Sequence, residues 1–183
     1  MPDWLRRIGD TIATEFSDLR DVEEITRVAL RLTVAAVLGA ILGYEREAKG
    51  KAAGVRTHML VAIGAALFVL IPQQAGVASN DLTRVMQGVI AGIGFLGAGA
   101  ILKRERPGRP DRSADPRTND GAVQGLTTAA SIWMTAAIGM AAGFGREATA
   151  TVSALIAFAV LALAPHVVKR FERPAPKTAT DDD

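Results

Sequence analysis

The chain has 183 residues, 49% hydrophobic and 22% charged, with a formal net charge of +2, two histidines and no cysteine. The lack of thiols excludes a disulfide framework, thiol catalysis and thiolate metal sites, and two imidazoles do not make a multi-histidine metal centre. So small a net charge does not point to nucleic acid, and the apolar residues stand in long uncharged runs with the charges between them, the pattern of a membrane protein rather than a soluble domain.

The N-terminus, Met1 to Arg7, lacks the apolar centre of a cleavable signal peptide, so the first hydrophobic helix is expected to direct insertion and stay in the membrane. Residues 1–24 form the first unit. Trp4, Leu5, Ile8, Ile12, Phe16 and Leu19 recur there at spacings of three and four, with Arg6, Arg7, Asp10, Glu15 and Asp18 on the other face. This predicts an amphipathic helix over residues 3–20 lying in the membrane interface, with packing against the bundle as the alternative.

Residues 25–168 form a membrane domain. Five hydrophobic segments are predicted as spans, at about 25–44, 57–77, 85–102, 123–144 and 148–168, each near the ~20 residues that a crossing helix needs. The second contains Pro72, and the third is glycine-rich. Unpaired backbone groups are too costly in hydrocarbon for anything but helices or a closed barrel, and these runs lack a barrel's alternation. The fold class is therefore all-α and polytopic.

Arg46, Lys49, Lys51 and Arg56 crowd the first loop, whereas the second has only Arg84. The third, residues 103–122, holds Lys103, Arg104, Arg106, Arg109, Arg112 and Arg117, and the fourth only Arg146. The tail, residues 169–183, carries Lys169, Arg170, Arg173 and Lys177. Basic loops face the cytoplasm, so this alternation predicts an outside N-terminus and a cytoplasmic C-terminus. Both the 103–122 loop and the tail have the composition of disordered cytoplasmic segments.

An internal repeat is legible. Gly39 to Leu42 returns as Gly99 to Leu102, and Glu45-Arg46 returns as Glu105-Arg106. Gly54 to Thr57 resembles Gly125 to Thr128. The chain thus reads as two parallel helical hairpins related by an axis along the membrane normal, with a fifth span added.

Gly92 to Gly97 fits G-x-G-x-x-G, but no strand precedes it, so a dinucleotide site is excluded. Gly88, Gly92, Gly94, Gly97 and Gly99 instead suit close helix packing, across a homo-oligomer such as a dimer or along an ion path. Gly39 with Gly43 and Gly139 with Gly143 are further small-xxx-small pairs. Arg27 and Arg31 lie near the outer end of the first span; Arg31 either snorkels to the surface or pairs with Asp81. Glu45, Arg46 and Glu47 close the first span, and Arg56, Thr57 and His58 open the second. Glu45 and Glu47 are candidate Mg²⁺ ligands. Thr57 and Thr128 are candidate helix caps, at helix starts that also favour anions. Thr127, Thr128 and Ser131 lack a catalytic histidine nearby in sequence, and no enzyme is expected.

Three blocks make the chain resemble the MgtC/SapB family of bacterial inner-membrane proteins. They are Gly43 to Glu47 continuing through Ala53 to Val61, Gly92 to Gly99, and Gly125 to Trp133. The resemblance spans roughly residues 25–165. It implies five spans, a multi-pass inner-membrane location and a link to magnesium homeostasis. Family members are often labelled magnesium transporters, whereas the best-known look more like regulators of other membrane machines, notably ATP synthase. The virulence-associated members carry a C-terminal ACT-like domain; few residues follow the fifth span here, so a short form is expected. The 104–119 stretch makes the third loop longer than usual in the family. The expectation is a regulatory partner of other membrane proteins, with a Mg²⁺ transporter or channel as the alternative. No resident cofactor is expected beyond Mg²⁺ as ligand or transported ion, and the lipid bilayer is the obligate surrounding.

Overall fold

The computed structural model describes residues 2–15, 17, 21–102 and 125–171. The described residues form six helices and no strand: α1 (Asp3–Glu15), α2 (Val22–Ala48), α3 (Val55–Gln74), α4 (Ser79–Leu102), α5 (Leu126–Gly143) and α6 (Glu147–Phe171). The five from α2 onward are long and apolar enough to cross a membrane. The 103–122 loop, Phe16, Leu19 and the tail beyond residue 171 lie outside the described residues.

Helix ends depart from the sequence reading for local reasons. α3 stops at Gln74 rather than near Val77. α2, α3 and α5 all finish in the same way, with a glycine two residues beyond the last helical one. Gly50, Gly76 and Gly145 take φ of 64°, 74° and 75°. The N–H of each glycine and of its successor returns to a carbonyl of the last turn, as in Gly50 to Glu47 and Lys51 to Arg46. This left-handed cap uses up carbonyls that hydrocarbon would leave unpaired.

The bundle is organised around α5, which packs against α2, α3, α4 and α6. The outer helices run α6, α2, α3, α4 around it, because α2 touches both α6 and α3, and α3 touches α4. α4 and α6 do not touch, and Leu126 and Trp133 of α5 are exposed in the gap. α1 has no buried residue and packs on none of the other helices, so Trp4, Ile8 and Ile12 are left exposed.

Small residues make the central approach. A Cβ on Gly139 would lie 2.8 Å from Cα of Ala62, and one on Gly143 would lie 2.9 Å from Cα of Ala66. Where α2 meets α3, a Cβ on Gly39 would lie 2.7 Å from the His58 carbonyl and one on Gly43 2.6 Å from Cα of Val55. α3 therefore meets two glycine pairs, antiparallel to α2 and parallel to α5, with Ala62 between the two helices. Ala35, Leu38, Leu42, Ala62, Ala66, Ile138 and Ala142 fill the core between them.

Within the single chain the α4 glycines differ from the other two glycine pairs. Gly88, Gly92, Gly94 and Gly99 have nothing within 4 Å of a would-be Cβ; only Gly97 has a neighbour, Ala129 at 3.4 Å. Gly99, the sequence counterpart of Gly39, is thus open where Gly39 is packed. Helix pairing nevertheless follows one scheme in both hairpins: α2 packs on α3 and α5, and α4 on α5 and α3.

Gly139→Ala is expected to destabilise the fold by about 1–3 kcal/mol, because backbone rather than a flexible side chain stands in the way. Gly94→Ala is expected to be neutral or stabilising by up to about 1 kcal/mol, through lost unfolded-state freedom. Unfolding midpoints of the two variants in mixed micelles check this; equal midpoints would contradict the packing described.

Candidate functional site

Buried polar side chains gather at the end of the bundle where α2 stops and α3 and α5 begin. They are Glu45, Arg46, His58, Thr128 and Ser131, with Thr135 further in, midway along α5. This basic end joins most of the candidate residues from the sequence.

The last turn of α2 points two carboxylates in two directions. Glu45 turns inward, where its Oε2 accepts from Arg46 Nε at 2.5 Å and its Oε1 pairs with Lys49 Nζ at 2.5 Å. Lys49 also donates to the Leu161 carbonyl at 2.8 Å, tying α6 to this corner. Glu47 points the other way, and its Oε2 accepts the backbone N–H of Val55 at 2.9 Å. Glu45 is occupied by two cations and Glu47 is exposed with one oxygen bonded, and no cluster of three or more acids, histidines or cysteines that could hold a metal occurs among the described residues.

Glu47 thereby caps α3, a task the sequence reading gave to Thr57. Threonine cannot serve here because each helix starts earlier than its threonine. The cap positions are Gly54 and Gly125, neither with a side-chain cap bond, and Thr57 and Thr128 already lie in the first turns. Arg56, Thr57 and Thr127 are exposed there, whereas Thr128 is 4% exposed. Gly125 needs its left-handed φ of 97°, and a Cβ there would lie 2.6 Å from the Ala100 carbonyl.

His58 is fully buried one turn into α3. Its Nδ1 lies 2.9 Å from the Gly54 carbonyl, which can only accept, so Nδ1 carries a proton. Its Nε2 lies 3.2 Å from Ser131 Oγ, and that hydroxyl is 2.8 Å from the Thr128 carbonyl. Ser131 has one proton for two acceptor positions, which couples the imidazole to the first turn of α5. Thr135 Oγ1 donates to the Ser131 carbonyl at 2.8 Å and continues the hydroxyl file along α5. Ser131, Thr135 and Lys49 were not among the site candidates from sequence. Lys49 has a signal, the favourable i,i+4 order with Glu45; the others have none, since they depend on which helix meets α3.

At the opposite end, Arg31 neither snorkels freely nor pairs with Asp81. Its Nη1 donates to Gln73 Oε1 at 2.8 Å and to the Gly143 carbonyl at 3.0 Å, and its Nε is 3.9 Å from Glu147. Asp81 is exposed at the start of α4, a helix that does not touch α2, so it is out of reach. The C-terminus of α5 takes its place, presenting carbonyls and the negative end of the helix dipole to the guanidinium. Arg31 thus joins α2, α3, α5 and α6.

The MgtC family profile matches residues 32–170. Protein SrpB of Synechococcus elongatus is 49% identical over 123 residues, covering 64% of this chain and 64% of that protein. The protein named "Putative magnesium transporter YhiD" in Escherichia coli is 41% identical, over 63% of this chain and 50% of its own length. Protein MgtC of Brucella abortus is 36% identical, over 81% of this chain and 56% of its own length. The chain therefore spans only half to two-thirds of the length of these relatives. No solved structure matches it.

Glu45→Gln is expected to cost about 3–5 kcal/mol, because Arg46 is left buried without its counter-charge. Glu45→Gln with Arg46→Met should recover most of that loss. A double-mutant cycle of unfolding free energies in micelles reads the coupling, and additive losses would count against the buried pair.

Proposed function

This chain belongs to the MgtC family, and we propose that it acts as a regulatory partner of other proteins in the bacterial inner membrane rather than as a Mg²⁺ pathway. One observation carries the reading. No acidic side chain lies in the middle of any of the five spans, the amide nearest a midpoint, Gln87 of α4, is exposed on the outside of the bundle, and Glu45, the one buried acid among the described residues, is already paired with Arg46 and Lys49. A path for a divalent ion needs oxygen ligands of high field at mid-membrane. Here the middle is filled by Leu38, Ala62, Ala66 and Ile138. The basic end, which the loop charges assign to the cytoplasm, is instead a polar cluster bonded within itself that ties α2, α3, α5 and α6. α4 is well suited to meeting another protein, since its open glycines and the 81% exposed Phe95 present a nearly unpacked helix.

The alternative, Mg²⁺ transport, has two supports. One is the name given to YhiD; the other is the file of Ser131 and Thr135, which brings hydroxyls to the midpoint of α5. Hydroxyls bonded to their own helix backbone are weak ligands for so strongly hydrated an ion.

The two readings separate in reconstituted vesicles. Protein in liposomes loaded with a Mg²⁺ indicator is expected to give no influx above protein-free vesicles under an inward gradient. Influx that Ser131→Ala or Thr135→Val abolishes would establish transport. A photo-crosslinker at Phe95 in cells is expected to yield adducts with a second membrane protein, whereas self-adducts alone would argue against the regulatory reading.

A further inference from the structure

We propose that Lys49 is a latch on α6: it supplies the hydrogen bond that Pro165 denies to the Leu161 carbonyl, and so holds the last part of α6 to the corner where α2 stops. With Lys49 drawn away, α6 is free to hinge at the proline. The device goes beyond the choice between regulation and Mg²⁺ passage and holds under either.

α6 extends from Glu147 to Phe171, and Pro165 is the one proline inside it. In an α-helix the carbonyl of one residue accepts from the N–H four residues on. The regular donor to Leu161 would therefore come from position 165. Proline has no N–H, and its ring crowds that same carbonyl. A carbonyl left without a donor is costly in hydrocarbon, and prolines persist in membrane helices where a neighbouring group bonds the freed carbonyl.

Lys49 is that group here. Its Nζ donates to the Leu161 carbonyl at 2.8 Å. The bond from α2 thus falls at the one place in the interior of α6 where the sequence takes the regular donor away. The α6 residues in or against the core, Ala150, Ala154, Ala157 and Leu161, all precede the proline among the described side chains. Lys49 marks the last of these attachments, one turn before the hinge.

The latch has a fixed part and a movable part. Glu45 is fixed: its side chain is 6% exposed, Arg46 holds one oxygen and Lys49 the other. Lys49 sits just past the end of α2, before the left-handed Gly50, and its side chain is 32% exposed. Glu45 and the Leu161 carbonyl occupy two of its three donors. The lysine is therefore the member that solvent or another molecule reaches, and its departure separates α6 from the Glu45 cluster in one step.

Amide hydrogen exchange of the full chain in phosphatidylcholine nanodiscs tests this, read on the peptide covering residues 162–171. Lys49→Met should speed exchange there about tenfold, the loss of one hydrogen bond from a charged group. Pro165→Ala gives Leu161 a backbone donor, so Lys49→Met in that background should change exchange far less. Lys51→Met, which removes a nearby exposed lysine, should leave the peptide as it was. Equal acceleration with and without Pro165→Ala overturns the proposal, because Lys49 then acts through Glu45 alone. No acceleration in either background overturns it as well. Should Lys49→Met fail to fold with Pro165 in place, recovery of folding by Pro165→Ala supports the latch, and failure in both backgrounds overturns it.

Discussion

The approach of α5 to α3 through Gly139 and Gly143 is the contact on which the rest of the bundle depends. Lipid tails are as apolar as leucine, so no hydrophobic drive pushes membrane helices together; close packing and interhelical hydrogen bonds must do it. Two glycines opposite Ala62 and Ala66 allow backbone to meet backbone. Because α3 and α5 are parallel, the same contact brings their starts side by side and sets Ser131 under His58. The polar cluster is thus a product of packing deeper in the bundle.

Charge is arranged to tie helices at the two ends while leaving the centre dry. At the basic end Glu45 holds Arg46 and Lys49, and Lys49 reaches the backbone of α6. At the other end Arg31 bridges Gln73, Gly143 and Glu147. α6 is therefore held at its start by Arg31 and past its midpoint, at Leu161, by Lys49, with Ala150 and Ala154 in the core between them. Buried pairs of this kind are poor sources of net stability, but they penalise any register that separates the partners. They specify which helices are neighbours.

The spans were legible in sequence because length and hydropathy alone define them, and the errors at their ends were a few residues. What was not legible is which apolar run sits at the centre. α5 and α4 look alike as sequence, yet α5 is largely buried and α4 nearly bare. The glycines show why. Gly139 and Gly143 meet alanines on α3, whereas Gly88, Gly92 and Gly94 meet nothing. A small residue permits contact but does not choose the partner. The pairing of Arg31 with Asp81 failed in the same way, since sequence places both near one surface but does not say that α2 and α4 are apart. The caps failed for a narrower reason: glycines precede the threonines by three residues, and Glu47 reaches over from α2. The clustering of Glu45, Arg46, His58 and Thr128 at one end was legible, because helix reversal alone brings it about.

The central place of α5 has a consequence for how the protein is made. It is the fourth of the five spans in chain order, so α2, α3 and α4 are synthesised before the helix they pack against. When α5 arrives, its hydroxyls meet a surface where His58 and the alanines of α3 are already in place. The first hairpin thus precedes the centre of the bundle in the chain, and α6, which packs on both α2 and α5, follows it.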